Sequence, residues 1–214
     1  MRFKIDLKIF FFLIVFYFTK QISIYSYMMI FAIIHEFAHC FAGLIVGMKP
    51  ENIMITPLGF SVKFKIMEDE YNKRILKSNR LEIKKIIIAF AGPAINFFLV
   101  LMLGIVNIDG IDKQIAIYSN ILIAIFNLMP IYPLDGGRIL KSFLNLYFGR
   151  KKAYTYIQLI SKCFMFVLTF IGSILIYYFQ NIAIFFIIIY LWSIVIRENK
   201  LCKMKIRFYE MIEG

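Results

Sequence analysis

Residues 22–47 read ISIYSYMMIFAIIHEFAHCFAGLIVG. The stretch is long and apolar enough to cross a lipid hydrocarbon layer, which takes about 20 helical residues. Yet it carries His35, Glu36 and His39 near its middle. A soluble amphipathic helix keeps a polar face along its whole length, and a plain membrane anchor does not hold three ionisable side chains. The stretch predicts a membrane helix with a polar site built into it.

Outward from this helix the rest of the chain agrees. The 214 residues are 61% hydrophobic with a mean hydropathy of +0.77, more apolar surface than one soluble core can hide. We expect an all-α polytopic membrane protein with six transmembrane helices near residues 9–20, 22–47, 86–106, 115–131, 159–179 and 181–196. The last two form a tight hairpin, since only Gln180 and Asn181 separate them. The start resembles a signal peptide, but no small-residue cleavage site follows, so the first run reads as a retained helix.

A net charge of +12 suggests nucleic acid in a soluble chain. Here the basic residues lie between apolar runs, and topology accounts for them instead. With six crossings, 23 of the 25 lysines and arginines share one side, leaving Lys20 and Lys113 on the other. Both termini are therefore expected in the cytosol. Residues 1–197 form the membrane domain, 48–85 a cytosolic loop and 198–214 a short cytosolic tail. Within the loop, 53–65 hold β-formers broken by Pro57 and Gly59, the pattern of a short β-hairpin. Cys40, Cys163 and Cys202 are odd in number and lack CxxC spacing, which signals neither a disulfide framework nor a cysteine metal site.

His35, Glu36 and His39 form an HExxH motif from the only two histidines in the chain. Residues four apart lie on one helix face, about 6 Å apart along the axis, so both imidazoles can bind one tetrahedral Zn2+. Glu36 is turned about 100° from His35, free of ligation and able to act as general base toward a metal-bound water. A catalytic zinc needs a third protein ligand. The other carboxylates lie in loops or tails, except Asp135, which follows the fourth apolar run.

Pro130 and Pro133 break that helix, and Gly136 and Gly137 allow backbone angles that turn Asp135 back toward a neighbour. Two neutral histidines, Asp135, Glu36 and Zn2+ sum to a neutral cluster, which a low-dielectric site tolerates. The competing reading of Asp135 is a helix-ending turn residue. Asn127, two turns earlier, is a candidate to hydrogen-bond the substrate backbone or developing oxyanion; an ordinary interhelical hydrogen bond is the alternative. The stretch from Ala91 to Asn96, with its small residues, reads as close helix packing.

Three motifs together resemble the site-2 protease family of intramembrane metalloproteases: HExxH in the second helix, GPxxN from Gly92 to Asn96, and NxxPxxxLDG from Asn127 to Gly136. Their order and spacing resemble most the sporulation branch, the stage IV sporulation protein FB type. The resemblance implies zinc held by His35, His39 and Asp135, Glu36 as catalytic acid-base group, and Asn127 near the reacting carbonyl. It implies a membrane-associated protein substrate, a pro-sequence like that of pro-sigma-K, and inhibitory membrane-protein partners. No nucleic acid is implied. Residues 53–65 could add the substrate as a strand, or serve as an ordinary surface hairpin. A metal transporter or an inactive membrane scaffold are the other classes this composition admits.

Overall fold

The structure, a computed structural model, describes residues 2–5, 7–56, 59–65, 75–106, 109–110 and 112–213. In chain order its elements are β1 (Arg2–Ile5), α1 (Lys8–Phe18), α2 (Ile22–Ile45), β2 (Lys49–Thr56), β3 (Gly59–Lys65), α3 (Ile75–Ile105), α4 (Lys113–Leu128), α5 (Asp135–Phe179) and α6 (Ile182–Glu213). They divide into two compact units, Met1–Asn127 and Leu128–Gly214.

In the first unit, α1 stops because the chain reverses at Lys20, whose φ of 57° lies in the left-handed region. The turn is closed by Gln21 N–H donating to the Phe16 carbonyl, and Phe16 stacks on Tyr25 across it at 4.6 Å. Along α2 the buried positions are Tyr25, Phe31, Ala32, His35, His39 and Gly43, the three- and four-residue spacing of one helix face. The opposite face exposes Ile30, Phe37, Phe41 and Leu44. Histidines inside with Phe37 and Phe41 outside invert the pattern of a soluble helix, as lipid requires.

α3 lies against α2, and α4 completes the core of this unit, where Phe31, Ala32, Leu103, Ala116 and Ile123 pack together. α4 begins where it does because the Asp112 carboxylate accepts the N–H groups of Gln114 and Ile115, satisfying donors that a helix start leaves unpaired. β2 and β3 are antiparallel, with Val62 opposite Ile53, and β1 pairs parallel to β2. β3 is thus an outer strand of the sheet and runs against α2. The strands begin at Lys49, earlier than the expected hairpin at 53–65; Pro57 lies outside the described residues.

In the second unit, α5 and α6 pack as an antiparallel pair. Gln180 turns the corner in the left-handed region, φ 51°, and the Asn181 side chain accepts the N–H of Ala183 to start α6. Gly172 sits against Ile188 so closely that a Cβ there would overlap the isoleucine side chain. Further along, Trp192 Nε1–H donates to Thr169 Oγ1 at 3.0 Å.

Several expected boundaries need correction. Six helices occur among the described residues, but only α2, α3, α5 and α6 are long and apolar enough to cross a membrane. α1 has 11 residues and α4 has 16, or about 16 Å and 24 Å of helix against about 30 Å of hydrocarbon. α3 starts at Ile75, inside the expected 48–85 loop, because nothing between 75 and 86 breaks a helix even though the residues are polar. α5 likewise starts at Asp135 and not near 159, interrupted only at Gly149, whose φ of 79° and ψ of 167° are non-helical. The expected tail is the continuation of α6.

Candidate metal centre

His35 and His39 are 3% and 2% exposed, and their rings are oriented by α3 and not by α2 itself. His39 Nδ1 lies 2.6 Å from the Ile88 carbonyl. A carbonyl only accepts, so this nitrogen carries the proton and Nε2 is left with its lone pair.

His35 is fixed by a longer relay. Asn120 Nδ2 donates to the Ala116 carbonyl of its own helix. Its oxygen is thereby free to accept from Asn96 Nδ2 at 3.0 Å. Asn96 then presents Oδ1 to His35 Nδ1 at 2.7 Å, so that this nitrogen too carries the proton. Both asparagines are fully buried. Each imidazole therefore offers an unprotonated Nε2 at the same point, and the two atoms are 3.1 Å apart.

Two facing lone pairs at that distance repel unless a cation lies between them. Tetrahedral Zn–N bonds of about 2.05 Å put two ligating nitrogens about 3.3 Å apart, close to what is observed. Gly92 keeps the space open: a Cβ at this position would fall on the Nε2 atoms of both histidines. Orientation of a ligating imidazole by an acceptor on its other nitrogen is a general feature of metal sites.

Asp135 is reached through a differently built segment. α4 ends ahead of Pro130, and the chain turns through Met129 to Leu134 with Ile131 N–H donating to the Met129 carbonyl and Leu134 N–H to that of Ile131. Tyr132 N–H donates to Ser161 Oγ at 2.9 Å, fastening the turn to α5. Leu134 is extended and Asp135 is the first helical residue, a position where a helix favours negative charge. Gly136 and Gly137 are required because a Cβ at either would collide with the carbonyls of Leu128 or Ile131. Asp135 is 4% exposed, with the Arg138 guanidinium 3.6 Å from its carboxylate.

His35 and His39 lie in the first unit and Asp135 in the second, and all three are buried. Two imidazoles and a carboxylate are a donor set suited to zinc with a position left for water. Glu36 is half-buried on the next position of α2. Asn127, in the last turn of α4, donates its amide to the Ile123 carbonyl at 3.0 Å. Three residues in this arrangement escaped the reading of the sequence as site residues: Asn120 altogether, and Gly92 and Asn96, which were read as packing positions.

The sequence pattern of peptidase family M50 matches residues 24–110 and 113–171. A zinc metalloprotease of Methanocaldococcus jannaschii is 31% identical over 128 residues, covering 56% of this chain and 34% of that protein. This chain therefore spans about a third of that relative's length. A site-2 protease from Methanocaldococcus jannaschii has the same fold, with a TM-score of 0.68 over 92% of this chain and 90% of that one, at 21% identity.

Proposed function

The chain belongs to peptidase family M50, and on that premise we propose that it is a zinc-dependent endopeptidase that cleaves membrane-associated proteins at or within the lipid bilayer. The observation that carries the reading is the pair of buried histidines whose Nε2 atoms lie 3.1 Å apart, with Asp135, buried at the start of α5, as the third ligand. The zinc metalloprotease and site-2 protease it resembles supply the reaction class.

In this reading His35, His39 and Asp135 would hold zinc. Zinc bound there supplies a water of lowered pKa and an electrophile for the scissile carbonyl. Glu36 takes the proton from the attacking water and hands it to the departing amine. The Asn96–Asn120 relay and the Ile88 carbonyl keep both Nδ1 atoms protonated, so neither ring turns away from its ligating geometry. Asn127 would donate its amide N–H to the reacting carbonyl, exchanging its present hydrogen bond to Ile123.

A substrate helix must be unwound before its carbonyls are reachable. The outer edge of β3, alongside α2, suits capture of an extended segment by strand addition. We extend the proposal to regulated cleavage of a sporulation sigma-factor pro-sequence like that of pro-sigma-K, held in check by inhibitory membrane proteins. The order and spacing of the three motifs support it. Were α1 and α4 to cross as well, 23 of the 25 lysines and arginines would share one side, the arrangement that supports cytosolic termini.

Glu36→Gln tests the chemistry. It keeps size and hydrogen-bonding capacity and cannot take a proton, so cleavage should vanish while zinc content, measured by elemental analysis, stays at the wild-type level. Cleavage by this variant would end the mechanism. Co-expression with candidate pro-sigma factors tests the substrate. Cysteine reporters near Lys77 and Lys203 test the topology, and external labelling at either would overturn it.

A further inference from the structure

α5 and α6 are both long and apolar enough to cross a membrane, and the contacts between them set their register. Gly172 meets Ile188, Thr169 meets Trp192, Tyr154 meets Lys205 and Lys151 meets Glu210, so each residue of α5 lies level with the one about equally far beyond Gln180 on α6. Lys162 is therefore level with Glu198, and Lys200 and Lys203 follow within about a turn and a half of helix. From Cys163 to Phe179 and from Ile182 to Ile196 neither helix carries a charge. A hydrocarbon layer of about 30 Å entered at Ile182 is left near Cys202, between Lys200 and Lys203, and the long stem of Lys162 carries its ammonium to the same depth.

The three lysines also share a side of the hairpin. The Phe166 ring meets the Trp192 ring edge-on at 5.3 Å. Lys162 lies one turn before Phe166, and Lys200 and Lys203 follow Trp192 through Ile196 in steps of four, four and three residues, the spacing of one helix side. All three are exposed, and none forms an ion pair among the described residues. Glu198 is the only acidic residue between Asp135 and Glu210. It is half-buried and lies about 120° around α6 from Trp192.

Retention of basic residues on one side of a membrane accounts for the end of the hairpin that carries these lysines, but not for their common face. Leu159 and Leu201, level with each other, and Met204 are exposed beside them. Ammonium groups interleaved with exposed aliphatic chains are complementary to a phospholipid, in which phosphate and acyl chains adjoin. An acidic soluble protein would answer the charges and leave the apolar Phe166 side unmet.

We infer that Lys162, Lys200 and Lys203 form a binding site for an anionic phospholipid, its phosphate held by the three ammonium groups and its acyl chains laid along Phe166 and Trp192. The site lies wholly within the second unit and requires the membrane alone, so it stands apart from the endopeptidase reading.

Trp192 is the only tryptophan in the chain and is part-exposed, so its fluorescence reports the lipid beside this face. The zinc-loaded full chain is placed in nanodiscs of phosphatidylcholine that contain a small, varied fraction of lipid brominated at mid-chain, either phosphatidylglycerol or phosphatidylcholine. Brominated phosphatidylglycerol should quench Trp192 at the lower mole fraction. Lys162→Gln, Lys200→Gln and Lys203→Gln should each reduce that preference by up to about fivefold, the worth of one lysine at an anionic surface, and the triple variant should lack it while brominated phosphatidylcholine quenches as before. Replacing all three by arginine keeps the charges and should keep the preference, which supplies a second test should the glutamine triple not fold. Equal quenching of the wild type by the two lipids would overturn the inference. A preference that survives in the glutamine triple, or is lost in the arginine triple, would overturn it as well.

Discussion

The two histidines sit in the middle of a helix, where the backbone ladder fixes position but leaves the rings free to spin, and acceptors on a neighbouring helix supply what is missing. Asp135 sits at a helix start, where a turn and two close-packed glycines fix the backbone and a single rotamer choice remains. The histidine half is thus specified by side-chain hydrogen bonds reaching far in sequence, 61 residues from His35 to Asn96. The aspartate half is specified by local chain shape. Mutations should separate the two, because losing an orienting hydrogen bond weakens metal binding in graded steps, whereas obstructing a backbone approach removes the site outright.

The largest effects should come where a methyl group obstructs. Gly92→Ala places a carbon on both Nε2 atoms, so zinc should fall to background and cleavage with it, in a protein that remains helical by circular dichroism. Gly136→Ala should abolish both as well, but with a clear drop in melting temperature, since the collision is with the Leu128 backbone. Equal zinc content in Gly92→Ala and wild type would break the comparison at its strongest point.

Next come the ligands and their orienters. His39→Ala and Asp135→Ala should each lose zinc and activity together. Full zinc and activity in Asp135→Ala would send the search for a third ligand to Cys40 or Cys163. Asn96→Leu should weaken zinc about 10- to 100-fold, the usual effect of losing an acceptor behind a ligating histidine, and Asn120→Leu should weaken it less. Titration against a chelator of known affinity ranks the series, and a reversed order would show that the relay does not run through Asn120 to Asn96.

The smallest effect is expected on the aspartate side. Ser161→Ala removes the acceptor of the Tyr132 N–H and should cost about 1 kcal/mol of stability, with zinc affinity changed far less than in Asn96→Leu. A comparable loss of zinc affinity would mean that side-chain hydrogen bonds govern both halves. On the substrate side, Val62→Pro removes a backbone donor from β3 and should weaken cleavage without loss of zinc; unchanged turnover would favour a surface hairpin.

What the sequence made legible followed from local spacing. HExxH within one apolar run, and an aspartate after Pro130 and Pro133, identify three candidate ligands because helix pitch and proline chemistry act over a few residues. Asn96 and Asn120 were not legible as orienters, since a buried asparagine looks the same whether it faces a ligand or another helix. Gly92 reads as close packing, and the group it approaches turns out to be the imidazole pair. Helix limits were lost where hydropathy and helicity part company: 75–85 and the residues after Arg197 are polar and still helical. The non-glycine reversals at Lys20 and Gln180 carry no signal at all in a pattern of apolar residues.

The length of α6 has a mechanical consequence. Its 32 residues make a continuous rod about 48 Å long, against a hydrocarbon layer of about 30 Å, so roughly 18 Å projects beyond the lipid tails. The projecting part is coupled to α5 through Lys205 over the Tyr154 ring and Lys151 beside Glu210. A helix longer than its bilayer answers thinning by leaning over, and a change in tilt of about 10° sweeps the far end of such a rod through about 8 Å. A change of membrane thickness that tilts α6 would therefore act on the part of α5 beyond Gly149, where Tyr154 and Lys151 lie, and turnover compared in short- and long-chain lipid would show whether that lever reaches the chemistry.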